Sequence, residues 1–168
     1  MMRSRGCRHH RRGENPMEKT HRMRPQTHRA PHVMSRTHVA IFTPPFLDLI
    51  LDGRKTIESR WSKMRCAPYG QVQVGDVVLM KRSGGLVAGE FTVAQVESFS
   101  DITEELLHKL AARYTKALCA EADEHFWDVR SGSRYGTLLA IASPIRYHRP
   151  FPYPKRDRRG WVVLDEIA

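Results

Sequence analysis

The sequence predicts one α+β domain with a curved mixed sheet, preceded by a basic extension. The predicted elements run in the order strand, helix, several strands, two helices and two strands, which is typical of the α+β class. The chain has 168 residues, enough for one domain and an appendage, since a domain takes roughly 100–200 residues. The longest apolar runs, such as 138–142, have the length of a strand and fall well short of the ~20 apolar residues that cross a bilayer. The sequence therefore excludes a membrane-spanning protein and a large multidomain protein.

Residues 1–37 differ in composition from the rest of the chain and predict a disordered, basic extension. Residues 1–38 contain ten of the 28 Lys and Arg residues but only two of the 18 Asp and Glu residues. Residues 39–168 are therefore nearly balanced in charge. With few large apolar side chains, the extension cannot bury enough surface to offset the entropy of ordering. It also lacks the apolar core of a secretory signal. We interpret it as a leader without function upstream of a second start at Met34; an Arg-rich arm that recruits the domain to ribonucleoprotein is the alternative.

The cysteine and histidine content indicates the compartment and the cofactors. Cys7, Cys66 and Cys119 are widely spaced and include no C-x-x-C pair, which favours free thiols in a reducing cytoplasm over a disulfide framework. The histidines near Cys7 lack the second, regularly spaced ligand pair of a zinc site. The sequence contains no Walker loop and no dinucleotide fingerprint. We therefore expect a cytoplasmic protein with no metal and no cofactor.

The predicted domain covers residues 38–168 and opens with a short buried strand followed by a helix. The strand lies at 39–42, where four consecutive residues are apolar. Thr43 is a good N-cap, and the two prolines after it suit a first helical turn. The apolar run 46–51 then predicts a short buried helix, which Gly53 ends.

The middle of the domain predicts a strand and then a hairpin. Residues 56–61 form the strand, with Ile57 and Ser59 on one face because side chains alternate along a strand. Runs 77–80 and 86–99 are separated by a Gly-rich turn and predict two antiparallel strands.

Two helical stretches and two strands complete the domain. Asp101 is the expected N-cap of the first helix, and Glu104 three residues later completes a pattern like a capping box. Leu and Tyr side chains follow at helical spacing, and residues 120–129 predict a second helical stretch. The last two strands are predicted at 136–145 and 160–164, with a connection rich in Pro and Arg between them.

One segment of the sequence resembles a known family. Residues 47–60 read L-x-x-I-L-x-G-R-K-T-I-E-x-R, and Gly75-Asp76-Val77-Val78 follows before a strand. This pattern resembles the ASCH domain of the PUA-like superfamily over about residues 38–165. The resemblance implies a small mixed β-barrel with flanking helices and a cleft suited to RNA or a nucleotide. Some small members are amidohydrolases of acetylated cytidine, and ribonuclease activity has been described in others.

The G-R-K-T-I-E-x-R segment supplies the first candidate ligand residues. Lys55 lies where the predicted helix gives way to the strand, and can contact a phosphate as a point charge or act as a base if burial lowers its pKa. Glu58 and Arg60 should project together, so the guanidinium can hold the carboxylate in a bidentate pair. A purely structural salt bridge is an equally weighted interpretation of that pair.

Further basic and aromatic residues extend the predicted site. Lys81 lies at a strand end where it can line the same cleft, and Arg134-Tyr135 belongs to a basic loop that can close over a ligand. Cations interleaved with aromatic rings, as around Arg158, can contact phosphates and stack on bases. The predicted ligand-binding residues are Lys55, Thr56, Glu58, Arg60, Lys81, Arg134, Tyr135 and Arg158.

The predicted function is an RNA- or nucleotide-binding module with a basic cleft and no membrane partner. The alternative is a hydrolase, acting on acetylcytidine or as a ribonuclease, with Lys55 and Glu58 as catalytic residues. The amidohydrolase-like members carry a Thr three residues after the Lys, and Glu58 occupies that position here. This difference argues against the same hydrolytic mechanism, although a carboxylate beside Lys55 can still serve as a general base.

Overall fold

The computed structural model of the protein describes residues 35–154 and 158–164. Most of the predicted extension, including Cys7, lies outside the described residues. The described part contains six strands and two α-helices. The strands are β1 (Thr37–Phe42), β2 (Ile57–Ser62), β3 (Val77–Arg82), β4 (Val87–Ser100), β5 (Tyr135–Phe151) and β6 (Trp161–Leu164), and the helices are α1 (Phe46–Leu51) and α2 (Glu104–Leu118).

The six strands form one mixed sheet in the order β2-β5-β4-β3-β1-β6. β1 and β3 are parallel, and the other neighbouring pairs are antiparallel. The two ends of this order approach each other, because Arg60 on β2 hydrogen-bonds the carbonyls of Ile41 on β1 and of Gly160 next to β6. The sheet is therefore a curled half-barrel, which confirms the predicted α+β class with a small mixed barrel. We call the gap between β2 and β6 the seam.

The short helix α1 begins later than its predicted cap. Pro45 occupies the N-cap position with no side-chain hydrogen bond, so Thr43 as N-cap is wrong. Thr43 contributes only its backbone carbonyl, which accepts a hydrogen bond from the Phe46 N–H at 3.1 Å. The two prolines that separate Thr43 from the helix place its hydroxyl too far back to cap the first turn. Gly53 ends the helix region as predicted, at φ +72°, a conformation that costs glycine little.

The helix α2 begins at Glu104, and its N-cap is Thr103, whose hydroxyl accepts a hydrogen bond from the Leu106 N–H at 3.2 Å. The predicted cap Asp101 is therefore wrong, and it lies outside the helix at φ +51°. Glu104 consequently stands at the first helical position instead of the third, where a capping box would need it.

The segment after α2 is not the predicted second helix. Cys119 adopts a left-handed conformation at φ +51°, which ends α2. Two short 3₁₀ turns follow, at Ala120–Ala122 and Asp128–Arg130. Phe126 between them is nevertheless buried, so the segment packs on the domain without a regular helix.

The strand β5 is longer than predicted and includes the first part of the connection rich in Pro and Arg, up to Phe151. Its pairing with β2 ends at the Ile57–Ala140 pair, and beyond that point its pairing partner is β4. Pro144 and Pro150 both lie in this later part, where a missing N–H costs least. The prediction that β5 ends at residue 145 is therefore wrong.

Two clusters of buried side chains stabilise the domain. The first joins α1 to the inner face of the sheet and includes Leu47, Ile50, Val78 and Phe91. The second lies under α2 and includes Leu110, Tyr114, Leu118 and Leu138, which confirms the predicted helical stripe. Phe46 packs against both clusters, and the candidate site lies beside it. None of the described helices is both long and apolar enough to cross a membrane.

The Gly75-Asp76 pair that precedes β3 has a structural role. The Asp76 carboxylate is 2% exposed and accepts backbone N–H groups of Arg36 and Gln73, each at 2.8 Å. Its Oδ2 also lies 2.9 Å from Nε2 of the fully buried His38, whose Nδ1 accepts the Trp161 indole N–H at 3.1 Å. This network ties β1, β3 and β6 together at one end of the sheet.

A surface ion cluster gives a small expected pH dependence. Both terminal nitrogens of Arg82 donate to the Asp48 carboxylate at 2.8 Å, and Arg146 adds a contact at 3.3 Å. The hydrogen bonds from Arg82 lower the pKa of Asp48 from its usual 3.8 to about 2.

Because the folded pKa is depressed, this stabilisation is present above the unfolded pKa and is lost as the pH falls towards 2. We expect Asp48→Asn to remove part of the acid-induced loss of stability, by less than about 1 kcal/mol because the pair is well exposed. Urea unfolding at several pH values measures it, and an unchanged acid slope in the variant would contradict the assignment.

Candidate functional site

A cleft of about 350 Å³ opens between the start of α1, the strand β2 and the two 3₁₀ turns. It contains both charged and aromatic side chains, and we call it the cleft throughout. Its lining residues are Ile41, Phe42, Thr43, Phe46, Lys55, Glu58, Ser59, Arg60, Trp61, Asp123, Phe126, Val129, Arg130 and Ser133.

Glu58 is the centre of the charged wall of the cleft. Its Oε2 lies 3.3 Å from Lys55 Nζ, and its Oε1 lies 2.9 Å from Arg60 Nε. The side chains of Lys55 and Glu58 are 2% and 6% exposed, whereas that of Arg60 is 21% exposed. The carboxylate is therefore held between one deeply buried cation and one that reaches solvent.

Lys55 joins the end of α2 to this wall. Its ammonium donates to the carbonyl of Leu118 at 3.0 Å, which is favourable because a helix C-terminus attracts positive charge. The ammonium also lies 5.4 Å from the centre of the Phe46 ring. Burial lowers the pKa of Lys55 below its usual 10.5, and the charge of Glu58 opposes that shift.

Arg60 connects the cleft wall to the seam. Its Nη2 donates to the Ile41 carbonyl at 3.0 Å and its Nη1 to the Gly160 carbonyl at 3.3 Å. The guanidinium also faces the rings of Phe42 and Trp161, at 5.0 and 5.3 Å from their centres. A guanidinium has five N–H donors, so one N–H on each terminal nitrogen has no acceptor among the described residues.

Arg130 is the third cation of the cleft. The sequence places it in the same basic loop as Arg134 and Tyr135, but it is not among the predicted ligand-binding residues. Its guanidinium carbon lies 3.4 Å from the centre of the Phe126 ring, and Nη1 donates to the Phe126 carbonyl. Burial lowers the pKa of Arg130 to about 10, against the opposing charges of Glu58 and Asp123, so it stays charged at neutral pH. The available sequence signal was an aromatic residue four positions before a basic one, a spacing that allows a cation–π contact.

The buried polar atoms without a hydrogen-bond partner are concentrated here. In residues 35–154 and 158–164 they are Arg60 Nε, Trp61 Nε1, Arg130 Nε and Thr137 Oγ1. Arg60 Nε is ion-paired with Glu58. Trp61 and Arg130 line the cleft, and Trp61 and Thr137 line an adjoining cavity. Buried polar groups are normally satisfied, so these four side chains are exceptions among the described residues.

The structure brings together three of the eight predicted ligand residues, Lys55, Glu58 and Arg60. Thr56 is exposed beside them, and its backbone bonds Ala117 and Ile141. Lys81 does not line the cleft, because its ammonium is turned back onto the carbonyls of Arg82 and Gly85 in the hairpin turn.

The other predicted residues lie elsewhere on the domain. Arg134 is exposed and pairs with Asp101 at 3.2 Å. Tyr135 lines the cavity next to the cleft, and Arg158 is exposed and outside the cleft. In the described part of the chain, no group of three or more His, Cys, Asp or Glu residues could hold a metal ion.

Comparison with known proteins finds solved structures with a similar fold. No family model and no curated protein matches the chain. The crystal structure of ASCH from Zymomonas mobilis is similar, with a TM-score of 0.57 and 15% identity over 77% of this chain and 88% of that one. A tyrosine-to-phenylalanine variant of the same protein gives a TM-score of 0.58 at 15% identity, over 77% of this chain and 91% of that one. At this identity the likeness shows the fold alone, and it confirms the predicted ASCH-like, PUA-like architecture.

Proposed function

We propose that the domain binds RNA, or a nucleotide, in the cleft around Glu58. The observation that carries the proposal is the pair of buried N–H donors, Trp61 Nε1 and Arg130 Nε, that have no acceptor among the described residues. A ligand that is rich in acceptors and negatively charged would satisfy them.

The charge and the walls of the cleft favour the same ligand class. Lys55, Arg60 and Arg130 outnumber Glu58 and Asp123 by one positive charge, which suits a phosphate. Phe46 and Phe126, whose ring centres lie 5.9 Å apart, supply apolar surface for a base. The volume of about 350 Å³ falls within the range of roughly 300–1,000 Å³ for small-molecule pockets.

The resemblance to ASCH domains supports RNA as the source of the nucleotide. It rests on the segment 47–60, and the shared fold agrees with it. We propose RNA as the partner, no membrane partner, and the cytoplasm as the location.

The test compares two arginines four residues apart. We expect Arg130→Gln to weaken binding of single-stranded RNA oligomers by about ten- to a hundredfold, since one charged hydrogen bond is lost. Arg134→Gln is the matched control, because Arg134 is exposed and lies outside the cleft; it should change affinity by less than about threefold. Fluorescence anisotropy with the full chain measures both, and affinity should fall with salt because phosphate contacts release counterions.

Two results would contradict the proposal. Equal losses in Arg130→Gln and Arg134→Gln would show that binding follows surface charge and not the cleft. Binding that disappears when residues 1–33 are deleted would assign it to the extension instead.

A hydrolase is the second candidate function. It is favoured by the 3.3 Å contact between Lys55 and Glu58 at the cleft wall. The lowered pKa of Lys55 also favours it, since a lower pKa leaves a larger fraction of the amine unprotonated, as a general base must be. Acetylated cytidine and single-stranded RNA are the substrates to test with the wild type and with Lys55→Met. If the wild type turns over a substrate and Lys55→Met abolishes turnover but not RNA binding, the domain is an enzyme. If the wild type binds RNA without turnover, the domain is an RNA-binding module.

A further inference from the structure

A second cavity, of about 190 Å³, adjoins the cleft. We call it the seam cavity because Arg60 on β2 and Gly160 next to β6 both line it. It shares Arg60 and Trp61 with the cleft. Arg60 therefore lies between two cavities and borders both.

The seam cavity contains a buried hydroxyl without a partner. Thr137 pairs with Arg60 across β2 and β5, so their side chains share one face of the sheet. Thr137 is 1% exposed, and its Oγ1 has no hydrogen-bond partner among the described residues. A buried hydroxyl in this state is costly, and a ligand in the cavity would provide the partner.

Aromatic rings form the walls around this hydroxyl. Tyr69 and Tyr135 are in edge contact, with ring centres 5.0 Å apart, and Trp161 adds a third ring. Arg65 lies over Tyr69, 5.4 Å from its ring centre. Aromatic walls with one hydrogen-bonding group at the base suit a planar heterocycle, because base–aromatic stacking accepts any nucleobase.

We propose that the seam cavity binds a second nucleobase, adjacent in the strand to the nucleotide in the cleft. The ligand is then single-stranded RNA with at least two unpaired nucleotides, and its linking phosphate lies over Arg60. Both terminal nitrogens of Arg60 keep one N–H without an acceptor in the described part of the chain, as this placement requires. The inference rests on the proposed function of the cleft and extends it.

The experiment compares nucleoside monophosphates with the corresponding RNA dinucleotides, titrated calorimetrically against the full chain. The best dinucleotide should bind at least about tenfold more tightly than the best mononucleotide, since stacking contributes that much per base. Thr137→Val keeps the shape and removes the hydroxyl, so it should lower dinucleotide affinity by about three- to tenfold and leave mononucleotide affinity unchanged. The variant should fold, because an unpaired buried hydroxyl is replaced by a methyl group.

A control variant and a second measurement make the test specific. Thr92→Val on β4 changes a half-buried threonine that lines neither cavity, and it should leave both affinities unchanged. Cys66 is exposed and lines the seam cavity, so a bound dinucleotide, unlike a mononucleotide, should slow its alkylation relative to Cys119.

The outcomes separate this inference from the function on which it rests. Suppose that mononucleotides bind and that Arg130→Gln weakens their binding. If dinucleotides then bind no more tightly than mononucleotides, or if Thr137→Val does not lower dinucleotide affinity, the seam cavity is not a base site. The cleft proposal stands in both cases. If neither mononucleotide nor dinucleotide binds, the cleft proposal fails and this inference fails with it.

Discussion

Glu58→Gln should lower the free energy of unfolding by about 3–5 kcal/mol, as expected when one partner of a buried ion pair is removed. The amide keeps the shape of the carboxylate but leaves Lys55 without a counter-ion. Lys55 is 2% exposed and cannot turn to water, whereas Arg60 at 21% is partly solvated. The loss should therefore come chiefly from the buried ammonium.

This explanation fixes the pH dependence of the variant. Burial already lowers the pKa of Lys55, and Glu58 is the main group opposing the shift, so Glu58→Gln should lower that pKa further. Between the lowered folded pKa and the unfolded value near 10.5, the unfolded chain binds the extra proton, and stability rises with pH. Urea unfolding should show part of the loss recovered as the pH is raised from neutral towards 10.

Two further variants check the origin of the effect. Lys55→Met combined with Glu58→Gln removes the buried charge altogether, so the double variant should be more stable than the sum of the single losses implies. Glu105→Gln breaks an exposed pair with Lys109 and should cost only about 0–1 kcal/mol. If Glu58→Gln costs no more than Glu105→Gln, the ion pairs of Glu58 with Lys55 and Arg60 do not stabilise the fold.

The core of this site was predictable because its residues are close in sequence. Gly53 ends α1 with a positive φ, and β2 starts at Ile57. Lys55 at that junction and Glu58 and Arg60 on the strand therefore meet through local geometry alone. The spacing indicates the cluster but not how deeply each member is buried, which depends on packing against Leu118 and β1.

The rest of the site depends on long-range contacts that leave no local pattern. Arg130 lines the same cleft as Glu58, and it comes from a segment of short 3₁₀ turns without helical periodicity. Thr137 meets Arg60 only through the register of β2 with β5. The position of Lys81 at a strand end predicts that it lines the cleft, but a register shift between Met80 and Lys81 alters the direction of the side chain, as bulges do.

The predicted N-cap of α2 was wrong for a different reason, because two residues compete for the N-cap position. Asp101 and Thr103 are both favoured N-cap types, and their intrinsic preferences differ little. The strand β4 continues to Ser100, and Asp101 turns the chain at φ +51°. The helix can therefore begin only after Thr103, a constraint set by the length of the neighbouring strand.

Asp76→Asn should lower the free energy of unfolding by about 2–5 kcal/mol, since it leaves at least one N–H donor at a buried carboxylate without its acceptor. The Asp76 carboxylate accepts from three donors, the backbone N–H groups of Arg36 and Gln73 and the ring nitrogen Nε2 of His38. An amide offers one oxygen and one NH₂, so whichever way it turns, its own N–H groups oppose at least one of these three donors.

His38 cannot relieve this conflict by moving its ring hydrogen. Its Nδ1 accepts the indole N–H of Trp161 at 3.1 Å, so a hydrogen moved to Nδ1 would face that donor. Asp52→Asn is the matched control, because Asp52 is 53% exposed and its ion-pair partner among the described residues is the exposed Arg146; it should cost about 0–1 kcal/mol. Chemical denaturation of the two variants measures the difference. If Asp76→Asn is as stable as Asp52→Asn, the hydrogen bonds that join Asp76, His38 and Trp161 do not hold β1, β3 and β6 together.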